Sequence, residues 1–125
     1  MDGYQAGARL LRAMAHPVRL RILEALKREG EACVCHLERL LGHRQATMSQ
    51  HLARLRAARL VADRRDGPNV FYPLGQPSIV SLLAAVRAAA ERSAATPLDF
   101  APAVRDPGTP YNCQKCATLA SLPLA

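Results

Sequence analysis

The fold turns on the stretch VCHLERLLGHRQATMSQHLARLRAA, residues 34–58. Val34, Leu37, Leu40 and Leu41 recur at helical spacing, and Gly42 then stops the run. Met48, Leu52 and Leu55 mark the inner stripe of a second helix over residues 45–58. Its other faces carry Gln45, Thr47, Ser49, Gln50, His51, Arg54 and Arg56. Two helices joined by a few residues around Gly42 make the connection that a helix-turn-helix requires.

Upstream, residues 4–14 read as a helix carrying Leu10, Leu11 and Met14. His16-Pro17 breaks it, and proline suits the first turn of a new helix over residues 17–29. Val18, Ile22, Leu23 and Leu26 form that helix's stripe, and Gly30 caps it. Downstream the period changes. Residues 60–65 and 70–74 are β-prone, and the turn Asp66-Gly67-Pro68-Asn69 between them is a hairpin signal. Pro73 must lie at a strand end or sheet edge. A last helix, residues 77–93, places Ile79, Leu82, Leu83, Val86 and Ala90 on one stripe. The expected fold is therefore mainly α with a small β-hairpin wing, about five helices and two strands in winged helix-turn-helix order.

The chain divides at about residue 95. Residues 1–95 carry the DNA-binding and dimerisation elements. Residues 96–125 form a tail with five of the nine prolines and little apolar periodicity, expected to be loosely ordered on its own. A chain of 125 residues supports one small domain. Half of it is apolar but no tryptophan is present, so the core must be built mainly from Leu, Ala, Val and Ile. The net charge of +7 suggests a polyanionic partner, nucleic acid first and an acidic membrane surface second. No apolar run is long enough to span a membrane. The N-terminus lacks a signal-peptide core, which points to the cytoplasm. There, close cysteine pairs mean metal or redox chemistry more often than structural disulfides.

Short polar side chains near the start of the second helix of the motif can reach base edges in the major groove. The candidate DNA contacts are Arg44, Gln45, Thr47, Ser49, Gln50, His51 and Arg54, joined by Arg64 and Arg65 of the wing. Residues 42–66 hold six arginines against Asp63 and Asp66, a local charge of +4 suited to flanking phosphates. The competing reading is an amphipathic surface helix followed by an incidental hairpin. The ordered set of signals outweighs it.

All four cysteines fall into two pairs, Cys33-Val34-Cys35 and Cys113-Gln114-Lys115-Cys116. On a regular helix residues two apart point about 200° apart, so Cys33 and Cys35 share a ligand only if the helix begins at or after Cys33, or unwinds there. Cys113-x-x-Cys116 has the spacing of a metal knuckle. Thiolate-rich sites favour soft or borderline ions such as Zn, Cd, Pb or Cu(I). The linker from Thr96 to Cys113 reaches up to ~60 Å when extended, so the pairs can meet within one subunit or across a dimer. The bland alternatives are a small buried core residue for Cys33, which shares a face with Leu37 and Leu40, and an idle dithiol in the tail.

Over residues 7–92 the chain resembles the ArsR/SmtB family of winged-helix repressors. The likeness is carried by residues 11–23 (LRAMAHPVRLRIL), 32–37 (ACVCHL) and 45–52 (QATMSQHL), and by the wing from Asp66-Gly67 to Tyr72. It implies a homodimer joined through the first and last helices, a palindromic operator and repression relieved by an inducer. The pair Cys33/Cys35 matches the Cys-Val-Cys motif of arsenic- and cadmium-responsive members. Glu38 stands where a third cysteine of the arsenic motif is expected. The last helix has no histidine, so the family's zinc and nickel site there is missing. The family often has a small capping residue where this chain has Arg44, so a stable cap is not expected at that helix start.

Together these readings predict a non-enzymatic repressor that leaves its operator when Cys33, Cys35, Cys113 and Cys116 bind As(III), Cd, Pb or Zn. Binding would redistribute helices 34–41 and 45–58. A thiol switch through a disulfide or polysulfide is the alternative, followed by an iron–sulfur cluster on all four thiolates. An architectural DNA-binding protein with spectator cysteines also remains open. An oxidoreductase using Cys-x-x-Cys would need a βαβ setting, which the proline-rich tail does not offer.

Overall fold

Local chemistry sets most of the element boundaries. The computed structural model describes residues 1–94; the expected tail, with Cys113 and Cys116, lies outside the described residues. Helix α1 spans Gly3–Met14 and opens on a capping box: the Asp2 carboxylate accepts from the Gln5 amide while the Gln5 side chain accepts from the Asp2 amide. Helix α2, Pro17–Glu29, has proline in its first turn, and His16 Nδ1 accepts from the Val18 N–H at 3.1 Å. Gly30, at φ 83°, ends it in a conformation that disfavours a side chain.

A short strand, β1 (Glu31–Ala32), follows directly and leads into α3 (Val34–Leu41). Left-handed Gly42 closes α3 and turns the chain into α4 (Gln45–Ala57). Arg44 is the N-cap of α4 and makes no side-chain capping bond, in line with its standing where the family often has a small capping residue. At the other end Ala58 is the C-cap, Arg59 adopts φ 61°, and the amides of Arg59 and Leu60 return to the carbonyls of Arg56 and Leu55. This is a Schellman ending with arginine where glycine is usual.

The wing is a hairpin of β2 (Arg64–Asp66) and β3 (Asn69–Pro73), closed by Gly67 and Pro68 between the paired Asp66 and Asn69. Gly67 has φ 60°, the positive value such two-residue loops need. Two sequence expectations require adjustment. The first wing strand starts at Arg64 rather than Leu60, because Leu60 and Val61 are buried in the core, and Val61 makes only an isolated bridge to Leu74. The sheet also has three strands rather than two, in the order β1-β3-β2, so β3 is central. Pro73 ends β3 opposite Glu31, where its missing donor matters least.

Helix α5 (Ser78–Ala94) completes the described chain. The core runs along α2: Ile22, Leu23 and Leu26 meet Leu37 of α3, Met48, Leu52 and Leu55 of α4, and Ile79 and Leu83 of α5. Burying each such side chain stabilises the fold by about 1.5–3 kcal/mol. Leu11 of α1 is 54% exposed, and Tyr4 and Val80 are exposed as well. Gly75 fixes the base of the wing. Its N–H donates to the Leu60 carbonyl at 2.9 Å, and a β-carbon there would stand 2.2 Å from the Arg59 carbonyl oxygen.

Candidate nucleic-acid interface and thiol site

With Met48, Leu52 and Leu55 turned inward, α4 leaves one arc open. Gln45, Ser49 and Gln50 are exposed on it, with Arg44 and Arg54 at its margins. Exposed Ala46 and Ala53 lie among them, and their small size lets the helix backbone approach a groove floor. Sequence reading passed over these alanines because they carry no polar group. Thr47 is half-buried at the arc's edge. Arg56 pairs with Asp63 at 3.7 Å, joining the end of α4 to the approach to the wing.

His51 sits differently from its neighbours. It is half-buried, and its Nδ1 accepts from Arg19 Nε–H at 3.2 Å. Arg19 also donates to the Ala13 carbonyl at 3.0 Å, and the His16 ring lies against that of His51 with centroids 4.5 Å apart. Burial, then the neighbouring His16, Arg19, His43 and Arg54, push the His51 pKa below its ordinary value. In this arrangement His51 fastens α4 to the α1–α2 junction rather than facing outward with Gln45 and Ser49.

The wing carries exposed Arg65 and, beside it, an arginine engaged on the protein's own surface. Arg64 grips the Glu31 carboxylate through Nε at 3.0 Å and through Nη2. Its guanidinium also lies 4.9 Å over the Phe71 ring. The register explains both contacts. Arg64 is directly opposite Phe71 and Glu31 opposite Pro73, so Glu31, Arg64, Phe71 and Pro73 share one face of the sheet. The ion pair thus reaches from one outer strand to the other, across β3. Hydrogen bonding to the Glu31 carboxylate raises the Arg64 pKa above its ordinary value, so the clasp stays charged.

Cys33 and Cys35 meet. Helix α3 starts at Val34, leaving Cys33 as an N-cap with extended backbone (φ −85°, ψ 168°), while Cys35 lies in the first turn. That change of backbone between positions 33 and 34 removes the opposition a regular helix would impose, and the two sulfurs stand 3.1 Å apart without a disulfide. They are 5% and 8% exposed and form a small buried cluster with Phe71, apart from the main core. The extended backbone of Cys33 continues the direction of β1, so Cys33, two residues after Glu31, falls on the same face as Glu31 and Phe71. His36 points elsewhere, with Nε2 3.6 Å from Glu29. Two thiols can bind a soft ion as a half-site. Among the described residues no group of three or more His, Cys, Asp or Glu is gathered as a metal cage. Cys113 and Cys116, the other expected ligands, lie outside them.

Comparison with known proteins agrees with this geometry. A family profile for the bacterial regulatory proteins of the arsR family matches residues 16–63, from the cap of α2 to the foot of the wing. The HTH-type transcriptional regulator Rv0081 of Mycobacterium tuberculosis is 38% identical over 67% of this chain and 74% of its own length. Its crystal structure superposes with a TM-score of 0.67 at 36% identity, covering 76% of this chain and 96% of that one. The arsenic resistance regulator ArsR1 of Pseudomonas putida is 42% identical over 52% of this chain and 51% of its own length. The homodimeric winged helix-turn-helix domain of Mb0332 from Mycobacterium bovis superposes with a TM-score of 0.66 at 30% identity, covering 71% and 82% of the two chains. The chain spans about half of ArsR1 and 66% of the nodulation protein NolR of Rhizobium meliloti. Rv0081 and ArsR1 are transcription regulators, not enzymes, and no helix among the described residues is long and apolar enough to cross a membrane. With its fold, helix-turn-helix and wing all accounted for, this chain belongs to the ArsR/SmtB family of DNA-binding transcriptional repressors.

Proposed function

We propose that the protein is a homodimeric repressor whose hold on a palindromic operator is released when the Cys33 and Cys35 thiolates take up a soft metal or metalloid of the As(III), Cd, Pb or Zn class. The observation that carries this reading is the 3.1 Å approach of the two sulfurs, made possible by the helix starting between them. Each thiol gives up its proton on ligation, and the ion then fixes two sulfurs at the start of the helix that precedes α4. By linkage, DNA and inducer weaken one another's binding by the same free energy. Cys113 and Cys116 would complete the coordination. Gln45, Thr47, Ser49 and Gln50 would read base edges, with Arg44, Arg54 and Arg65 on the phosphates and Arg64 holding the wing through Glu31. Exposed Tyr4 and Leu11 on α1 and Val80 on α5 support dimerisation through those helices, and the similar Mb0332 domain is homodimeric.

A specific observation favours a second reading at the same pair. The described residues bring together two sulfurs in an apolar pocket, and a thiol–disulfide switch needs only two. In it Cys33 and Cys35 lose two protons and two electrons to a peroxide or a disulfide and form one S–S bond.

Operator affinity measured anaerobically with arsenite, Cd²⁺, Pb²⁺ and Zn²⁺, and separately with a peroxide, distinguishes the two. A soft ion should weaken binding by about 5–150-fold in the wild type and not in Cys33→Ser. If neither ion nor oxidant changes the affinity, the sensing function is wrong. The Cys113→Ser/Cys116→Ser chain assigns the tail: an unchanged response would remove it from the site.

A further inference from the structure

The two thiols are closer to the wing than to the recognition helix in the sense that matters for coupling. Their partner in the small buried cluster is Phe71 of β3, whereas Met48, Leu52 and Leu55 of α4 belong to the main core. Phe71 in turn lies beneath the Arg64 guanidinium, and Arg64 is fastened to Glu31 two residues before Cys33. A closed circuit results: Cys33, Phe71, Arg64, Glu31, and back along β1 to Cys33. Three of its links are side-chain packing or ion pairing, and the fourth is backbone.

We infer that the wing is the output of the thiol site, with Phe71 as the positioning residue that transmits the state of Cys33 and Cys35 to the Glu31–Arg64 clasp. The inference rests on the proposed sensing role of the pair and adds its route. A soft ion between the sulfurs cannot enter a close-packed cluster without displacing the ring that covers it. Phe71 is the third member of that cluster. When it moves, the cation–π support of Arg64 goes with it, the Glu31 contact is no longer held across β3, and β2 with Arg64 and Arg65 loses its fixed position against the DNA backbone. The recognition helix then keeps its core packing while the wing gives way.

Two measurements on the full chain test this, using Glu31→Gln and Arg64→Lys, which weaken the clasp conservatively, and Phe71→Leu, which removes the ring; thermal melts establish folding. The first uses Cd²⁺ as probe and follows thiolate-to-cadmium absorption together with operator affinity. All variants should bind Cd²⁺, while the ratio of affinities without and with the ion should fall from the wild-type value toward about 1. Variants that keep the wild-type ratio overturn the inference. The second needs no inducer. An aromatic disulfide reagent is mixed with the protein; a cysteine thiolate attacks one of its sulfurs, forming a mixed disulfide and expelling the coloured aryl thiolate. Loosening the clasp should speed this release about fivefold or more, and operator DNA should slow it in the wild type but not in Glu31→Gln. Equal rates in all chains also overturn the inference. If Cd²⁺ leaves wild-type affinity unchanged but the clasp still controls thiol access, the sensing reading fails for that ion and the thiol–wing coupling stands.

Discussion

Arg19 on α2 donates its Nε–H to Nδ1 of His51 on α4, 3.2 Å away, and so ties the candidate recognition helix to the helix junction behind it. The bond requires a neutral imidazole with Nδ1 as acceptor. Protonation would set a second donor against the guanidinium and a second positive charge beside Arg19 and Arg54.

Stability should therefore fall on mild acidification. Because the His51 pKa is lowered in the folded chain, the unfolded chain binds more protons as pH drops through the ordinary value of 6.5. The His51 contribution is fully present above 6.5, declines below it, and levels off beneath the folded pKa. Thermal melts from pH 7.5 to 5 should show a slope that His51→Gln reduces. An unchanged slope in the variant would mean that the histidine is not the group responsible.

Cys33→Ser separates sensing from folding. Serine at this N-cap can accept from an amide in the first turn of α3, where cysteine makes no such bond, a gain of about 1 kcal/mol before any cost of burying the hydroxyl. The variant should fold, bind operator DNA and ignore inducer. Chemical denaturation and an affinity titration check the two halves of that statement.

The joint between α4 and the wing should tolerate change on one side only. Arg59→Gly relieves a left-handed arginine and should stabilise the chain by about 1 kcal/mol, or about 4–8 °C in Tm for a domain of this size. Gly75→Ala drives a methyl into the Arg59 carbonyl, a backbone atom that cannot swing aside, and should cost about 2 kcal/mol or more. A Gly75→Ala chain as stable as the wild type would show that this joint yields.

Operator binding should depend steeply on salt, and the arginines should differ in their share. Arg44→Ala and Arg65→Ala should each flatten the log–log slope by about 0.9 with little change in base preference. Gln45→Ala and Gln50→Ala should instead relax the preference at individual base pairs and leave the slope alone. Affinity titrations over a range of salt, on the operator and on substituted operators, distinguish the two classes.

Much of this architecture can be read along the chain because it is local. The stripes of α2 and α4, glycines at 30 and 42, and the Asp66-Gly67 turn each announce themselves within one or two turns of backbone. What escaped has the opposite character. β1 has two residues, too few for any alternation, and exists only because β3 pairs with it. Leu60 and Val61 look like strand residues but are core residues at the end of a helix, since apolarity alone does not distinguish the two. The cysteines were visible as a pair, and the condition for their meeting could be stated from helix geometry. Phe71 as their cover, Arg64 as its roof and Arg19 as the partner of His51, 32 residues away, depend on register and packing that no sequence window contains.

The shelter of Cys33 and Cys35 has a temporal consequence. A reagent in solution cannot reach sulfurs that are 5% and 8% exposed until the cover above them lifts, so encounters are timed by the protein's own breathing and not by diffusion alone. Under the proposed sensing role, brief pulses would pass unnoticed between openings, whereas a sustained presence would eventually be admitted. In the proposed sensor the buried pair would act as a slow shutter, filtering signals by their duration before chemistry filters them by kind.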